Sequence, residues 1–143
     1  MLFEAFFIKF SNMKFEDNSL NFCNLTFYEH YVVSIVEEGT VLTSNLSLKI
    51  TENILAFYND TLYIYITYRK NSYSVDPLIY RKTSQVSNLL AFCVVSRNHF
   101  NISNTDIERI FLKKPFKVFT SLIDAKNWAS LIHENYLLNE TNL

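Results

Sequence analysis

Between an apolar run, TLYIYIT (61–67), and a short helical pattern, LIYRKTSQV (78–86), the chain places Arg69, Lys70, Asn71, Ser72, Tyr73, Ser74 and Asp76. These residue types suit recognition better than bond-making. Arg69, Lys70 and, further on, Arg81 can pair with a carboxylate or a phosphate. Ser72 and Ser74 offer hydroxyls close to a helix start. Added negative charge is tolerated there, because the macrodipole and free N–H groups favour it. They are the candidate phosphoacceptors. Asp76-Pro77 starts that helix by a stated mechanism: the carboxylate accepts N–H groups that lack a helical partner, and Pro has no N–H to leave unpaired. Arg69, Lys70, Asn71, Ser72, Tyr73, Ser74, Asp76 and Arg81 therefore form the candidate surface for a protein partner or ligand. The bland alternative is a solvated turn capped by Asp76.

Other chemistry is sparse. Tyr63, Tyr65, Tyr68, Tyr73 and Tyr80, interleaved with Arg69 and Arg81, suit a stacking surface for an apolar ligand. Equally, Tyr63 and Tyr65 suit sheet packing with their hydroxyls reaching the surface. His30, His99 and His133 sit alone in different elements, and a catalytic or metal role would need a converging Asp, Glu or Cys. His99 follows an apolar strand pattern in the sequence and is expected to line the same carboxyl edge as 69–76. Cys23 and Cys93 lie far apart in apolar runs and read as reduced core thiols. A single Gly rules out Gly-rich phosphate loops and the Gly-x-Ser-x-Gly nucleophile turn, and His-Glu-x-x-His is absent. No catalytic residue, metal or cofactor is expected, and the chain reads as a non-enzyme.

The 143 residues fit one domain with a core of its own. Hydrophobic residues make up 49% and charged residues 19%, which is a globular composition. A net charge of −1 supplies no field for a phosphate backbone, so no nucleic acid is expected. The basic runs Arg69/Lys70, Arg81/Lys82 and Lys113/Lys114/Lys117 read as solvated faces. The opening MLFEAFFIKF is too short to span a bilayer and carries Glu4 and Lys9. The expectation is a cytoplasmic protein without a transmembrane segment. Met13 is an alternative start. Residues 1–18 then read as an extension, 19–138 as the domain and 139–143 as a frayed tail.

The elements alternate. Strands are expected at 19–28 and 31–38, followed by a helix capped by Thr43 or Ser44 and ending at Asn59-Asp60. Its stripe is Leu46, Ile50, Ile54 and Phe57, flanked by Leu48 and Leu55. A strand at 61–67 is apolar on both faces, as between two helical layers. A helix after Asp76, a buried strand at 88–96, a helix opened at 101–103 and ended by Pro115, and a strand at 116–119 follow. The last helix is started by Ser121 and Asp124 and buries Ala125, Trp128 and Ile132. The expected fold is a single-domain α/β sandwich: a mixed, mainly parallel sheet of about five strands with about four helices.

Three stretches carry a family likeness: YITYRKNSYSVDPLIY (65–80), LLAFCVVSRN (89–98) and FLKKPFKVFTSLIDAKNWASLI (111–132). With the element order, they resemble the STAS domains, the anti-sigma-factor-antagonist fold, over about 30–132. More specifically, they are similar to the small bacterial STAS-like proteins grouped near the anti-anti-sigma factor and the lipid-carrying CRAL-TRIO domains. In anti-anti-sigma factors the loop after the third strand carries a phosphorylatable Ser in an Asp-x-Ser-Gly context. Here that loop reads Asn71-Ser72-Tyr73-Ser74, so Ser72 or Ser74 takes the acceptor's place without the Asp and the Gly. The resemblance implies a regulatory, protein-binding role in a bacterial cytosol. The CRAL-TRIO likeness and an aromatic content of 16% imply an alternative, a carrier for a small apolar or lipid ligand.

Overall fold

The computed structural model describes residues 13–97 and 113–141. The chain is α/β, with strands β1 (Lys14–Ser19), β2 (Cys23–Tyr28), β3 (Tyr31–Val36), β4 (Val41–Leu42), β5 (Tyr63–Tyr68), β6 (Ser74–Val75), β7 (Leu89–Val95) and β8 (Phe116–Phe119). Three helices lie among the described residues: α1 (Ser44–Tyr58), α2 (Leu78–Ser84) and α3 (Leu122–Thr141). The helix expected near 101–114 falls almost wholly outside the described residues, as does His99.

Six strands form one sheet in the order β1-β2-β3-β5-β7-β8, and β4 and β6 make a separate two-residue ladder. The pairs β1–β2 and β2–β3 are antiparallel; β3–β5, β5–β7 and β7–β8 are parallel. The sheet is thus mixed, and the expected five-strand, mainly parallel sheet is corrected. The added strand is β1. Its sequence KFEDNS is almost wholly exposed, so no apolar alternation announces it. Backbone pairing along β2, from Lys14↔Tyr28 to Ser19↔Asn24, is what makes it a strand. The sheet therefore begins ahead of Ser19, and α3 runs past 138 to Thr141.

Local chemistry sets the helix ends. Thr43 Oγ1 accepts the Leu46 N–H at 3.3 Å and caps α1. Asn59 closes it at φ +53°, its N–H donating to Leu55 O. Ile50, Ile54 and Tyr58 are the buried stripe.

Strands β3, β5, β7 and β8 advance across the sheet in one direction. Right-handed crossovers then put successive helices on one face. On that face Ile50, Ile54 and Tyr58 of α1 and Ile79 of α2 pack with Leu25, Phe27, Val32, Val36 and Leu89. The opposite face, built from Tyr31, Val33, Ile64, Ile66, Cys93 and Val95, receives Ala125 and Ala129 of α3. These alanines are fully buried and let the helix backbone come close to the sheet. Trp128 stands at the margin, half-buried against Phe119 with ring centroids 5.7 Å apart.

Candidate functional site

In open α/β sheets, ligands enter at the carboxyl edge where the strand order reverses. The order β3-β5-β7-β8 does not reverse, so the described parallel strands leave no such crevice. Instead the loops leaving β3 and β5 are joined to each other. Val41↔Ser74 and Leu42↔Val75 form the parallel β4–β6 ladder. Around it, Gly39 N–H donates to Ser72 O at 2.7 Å, and Ser74 N–H donates to Thr40 O at 3.0 Å. Asn71 Nδ2 reaches Val36 O at 2.9 Å. Gly39, the one glycine, sits at φ +75°, where an L side chain is strained. The segment 69–76 is therefore a strap tied to 36–42 along its backbone, not a freely solvated turn.

The strap sorts its side chains. Arg69 turns inward and is buried; its guanidinium lies 4.6 Å from the centre of the Tyr73 ring, and Nη2 donates to Tyr73 O at 3.3 Å. The Tyr73 hydroxyl shares a 3.0 Å hydrogen bond with Thr67 Oγ1. Arg69 and Tyr73 thus brace the loop from beneath. Lys70, Ser72, Ser74, Asp76 and Arg81 are exposed, and Asn71 is half-buried. Two apolar side chains stand among them, Val41 at 64% exposure and Leu78 at 55%.

The two serines differ. Ser72 N–H donates to Glu38 Oε2 at 2.7 Å, so a carboxylate already occupies the position a phosphate on Ser72 would seek. Ser74 is exposed and lies opposite Val41. Asp76 Oδ1 accepts the Leu78 N–H at 3.0 Å, as the Asp-Pro signal implies. Helix α2 has seven residues, too short to supply much dipole.

The tyrosines pack inward. Tyr63, Tyr68 and Tyr80 are buried and Tyr65 is half-buried. The Tyr65 hydroxyl does not reach the surface: it donates to Ser34 Oγ at 2.8 Å inside the sheet. Burial holds the phenols of Tyr63 and Tyr65 well above their ordinary range. Between α1, α2 and the sheet, a gap of about 40 Å³ is lined by Tyr65, Thr67, Tyr73, Ile79 and Phe92. A water fits such a space; a lipid tail does not. A cleft of about 220 Å³ between α1 and α2, lined by Ser44, Leu48, Thr51, Lys82 and Val86, is the larger space.

At the other end of the sheet, two histidines that look unrelated in sequence meet. His30, in the β2–β3 turn, stacks on His133 of α3 with ring centroids 3.6 Å apart and 12° between planes. Glu29 Oε1 lies 3.7 Å from His30 Nε2. Among the described residues, no group of three or more His, Cys, Asp or Glu is arranged to hold a metal ion. Cys23 and Cys93 are buried free thiols; burial pushes Cys23 up to about 12 and raises Cys93 as well, which keeps both protonated and unreactive. No described helix is long and apolar enough to cross a membrane.

Comparison of the chain with protein-family models, with curated proteins and with solved structures gives no match.

Proposed function

We propose that the chain is a non-enzymatic regulatory domain of STAS-like type, acting in a bacterial cytoplasm. It binds a protein partner through the outward side of the 69–76 strap and the start of α2. Negative charge on Ser74 modulates that binding. One observation carries the reading: the strap is held rigid from behind while Lys70, Ser72, Ser74, Asp76, Val41 and Leu78 stay exposed in front. A preordered surface loses little conformational entropy on association. Apolar side chains ringed by charges of both signs make a suitable interface centre and rim. The carrier alternative has weaker support, because the interior gap of about 40 Å³ is far below the roughly 300 Å³ that ligand pockets start from.

The test is site-specific photo-crosslinking from position 72 in the full chain, expressed in its own host. A single partner should crosslink from 72 and not from Leu137 at the far end of α3. The double variant Val41→Asp/Leu78→Asp should lose it, and Ser74→Asp should change its yield several-fold. Equal labelling from both positions, or full labelling in the double variant, overturns the interface. Unchanged labelling in Ser74→Asp removes the modulation.

A further inference from the structure

His133 is the last buried residue of α3; the residues from Glu134 to Glu140 are half-buried or exposed, with Leu137 and Leu138 about half exposed. Among the described residues, the last ring contact between this helix and the body is the imidazole stack on His30. The turn that presents His30 is itself held firmly, because the Tyr58 hydroxyl lies 2.7 Å from Tyr28 O and 2.6 Å from Tyr31 O. One partner of the stack is fixed, and the other ends a helix that projects beyond the sheet.

The surroundings suit two neutral rings. His133 Nδ1 and Glu29 Oε2 are buried without a hydrogen-bond partner among the described residues. Among the described residues, Glu29 of the turn lies beside the pair, and two turns earlier on α3 Lys126 donates to the Tyr28 hydroxyl at 2.8 Å. Glu134 is next in the chain and half-buried. Glu29 can balance a single added proton, at 3.7 Å from His30 Nε2. A second proton meets the first across 3.6 Å in a site shielded from water, where like charges repel strongly. Burial first, then His30, holds His133 down to about 4, with Glu29 partly opposing; burial also lowers His30.

We propose that the His30–His133 stack is an acid-operated latch: protonation of the pair parts the rings and releases the end of α3 from His133 onward, while the sheet and the strap stay folded. Release uncovers the face of the β2–β3 turn that the His133 ring covers. An element with few buried contacts beyond one titratable pair is the kind that opens below the global unfolding free energy.

Hydrogen exchange on the whole protein tests this, with rates corrected for the intrinsic effect of pH. Between pH 7.5 and pH 5, amides of 133–141 should lose at least tenfold in protection, while those of β5 and β7 keep theirs. His133→Phe retains an aromatic ring to stack and should abolish the difference; should it fail to fold, His30→Phe serves the same purpose. Imidazole NMR titration of the wild type is the second readout. Equal protection at both pH values, the same loss in the Phe variant, or two histidines titrating independently near their ordinary value each overturns the latch.

Discussion

The two ends of strand β3 are secured in opposite ways. At its carboxyl end, backbone groups do most of the work, through the β4–β6 ladder and Gly39 N–H to Ser72 O, with the Asn71 side-chain amide added on Val36 O. At its amino end, side chains do it: the Tyr58 hydroxyl on the turn, the Lys126 ammonium on Tyr28, and the stacked histidines. Backbone amides do not titrate, so the β4–β6 ladder and the Gly39 and Ser74 bonds beside it do not depend on a protonation state. Imidazoles do titrate, which is why the proposed latch sits at the opposite end. The contact surface and the releasable helix proposed above would thus share one sheet, about 17 Å apart along β3 at about 3.3 Å per residue.

The largest expected effect tests the titratable end. His133 in the folded protein is held to about 4, against an ordinary 6.5. Between those values the unfolded chain binds more protons than the folded one, so stability rises with pH. It is complete above about 6.5 and falls as pH drops towards about 4. From pH 7.5 to 4.5 the wild type should lose on the order of 2–3 kcal/mol, at roughly 1.4 kcal/mol per pKa unit. Urea melts of wild type and His133→Phe at both pH values measure it. A Phe variant with the same acid loss would assign the effect to other groups.

Gly39→Ala comes next and tests the strap. Nothing lies within 4 Å of an added Cβ, so the cost is that of the backbone angle alone, φ +75°. It should be about 1–2 kcal/mol. The loss should be equal at pH 7.5 and 4.5, and it should add to that of His133→Phe, because the two sites are well separated. A pH-dependent loss would break the contrast between the two ends.

Asn71→Ala is the smallest. It removes one part-buried bond to Val36 O, worth about 0.5–1.5 kcal/mol. Its sharper readout is exchange of the Gly39 and Ser74 amides, which should rise while protection around His133 is unchanged. Slow exchange at both amides would show that the ladder holds without the side chain.

Much of the fold is legible in the residues. Thr43, Asn59 and Asp76 mark helix ends through bonds spanning no more than four residues, and the structure shows each bond. The apolar runs at 61–67 and 88–96 become β5 and β7 because a strand covered on both faces has no polar side to interrupt it. β1 is not legible, since an exposed edge strand needs only a neighbour's backbone and carries no apolar signature. At the candidate site, the exposed positions Lys70, Ser72, Ser74, Asp76 and Arg81 follow from polarity. The inward turn of Arg69 does not, because a cation stacks beneath a loop only when a ring such as Tyr73 is placed there. Val41 joins the surface through the ladder, and a short V-L pair after a glycine gives little warning of it.

The histidines show the limit most plainly. Each alone carries no signal, and a second imidazole from near the other end of the chain changes what both can do. Residues within a helical turn of one another determined the helix caps, the buried stripes and the polar character of 69–76, because those choices rest on local hydrogen bonding and on solvation. Tertiary structure alone decided the added edge strand β1, the strap and the histidine stack. Each of these rests on a contact between separate segments of the chain, and such a contact exists only once the core has brought both segments together.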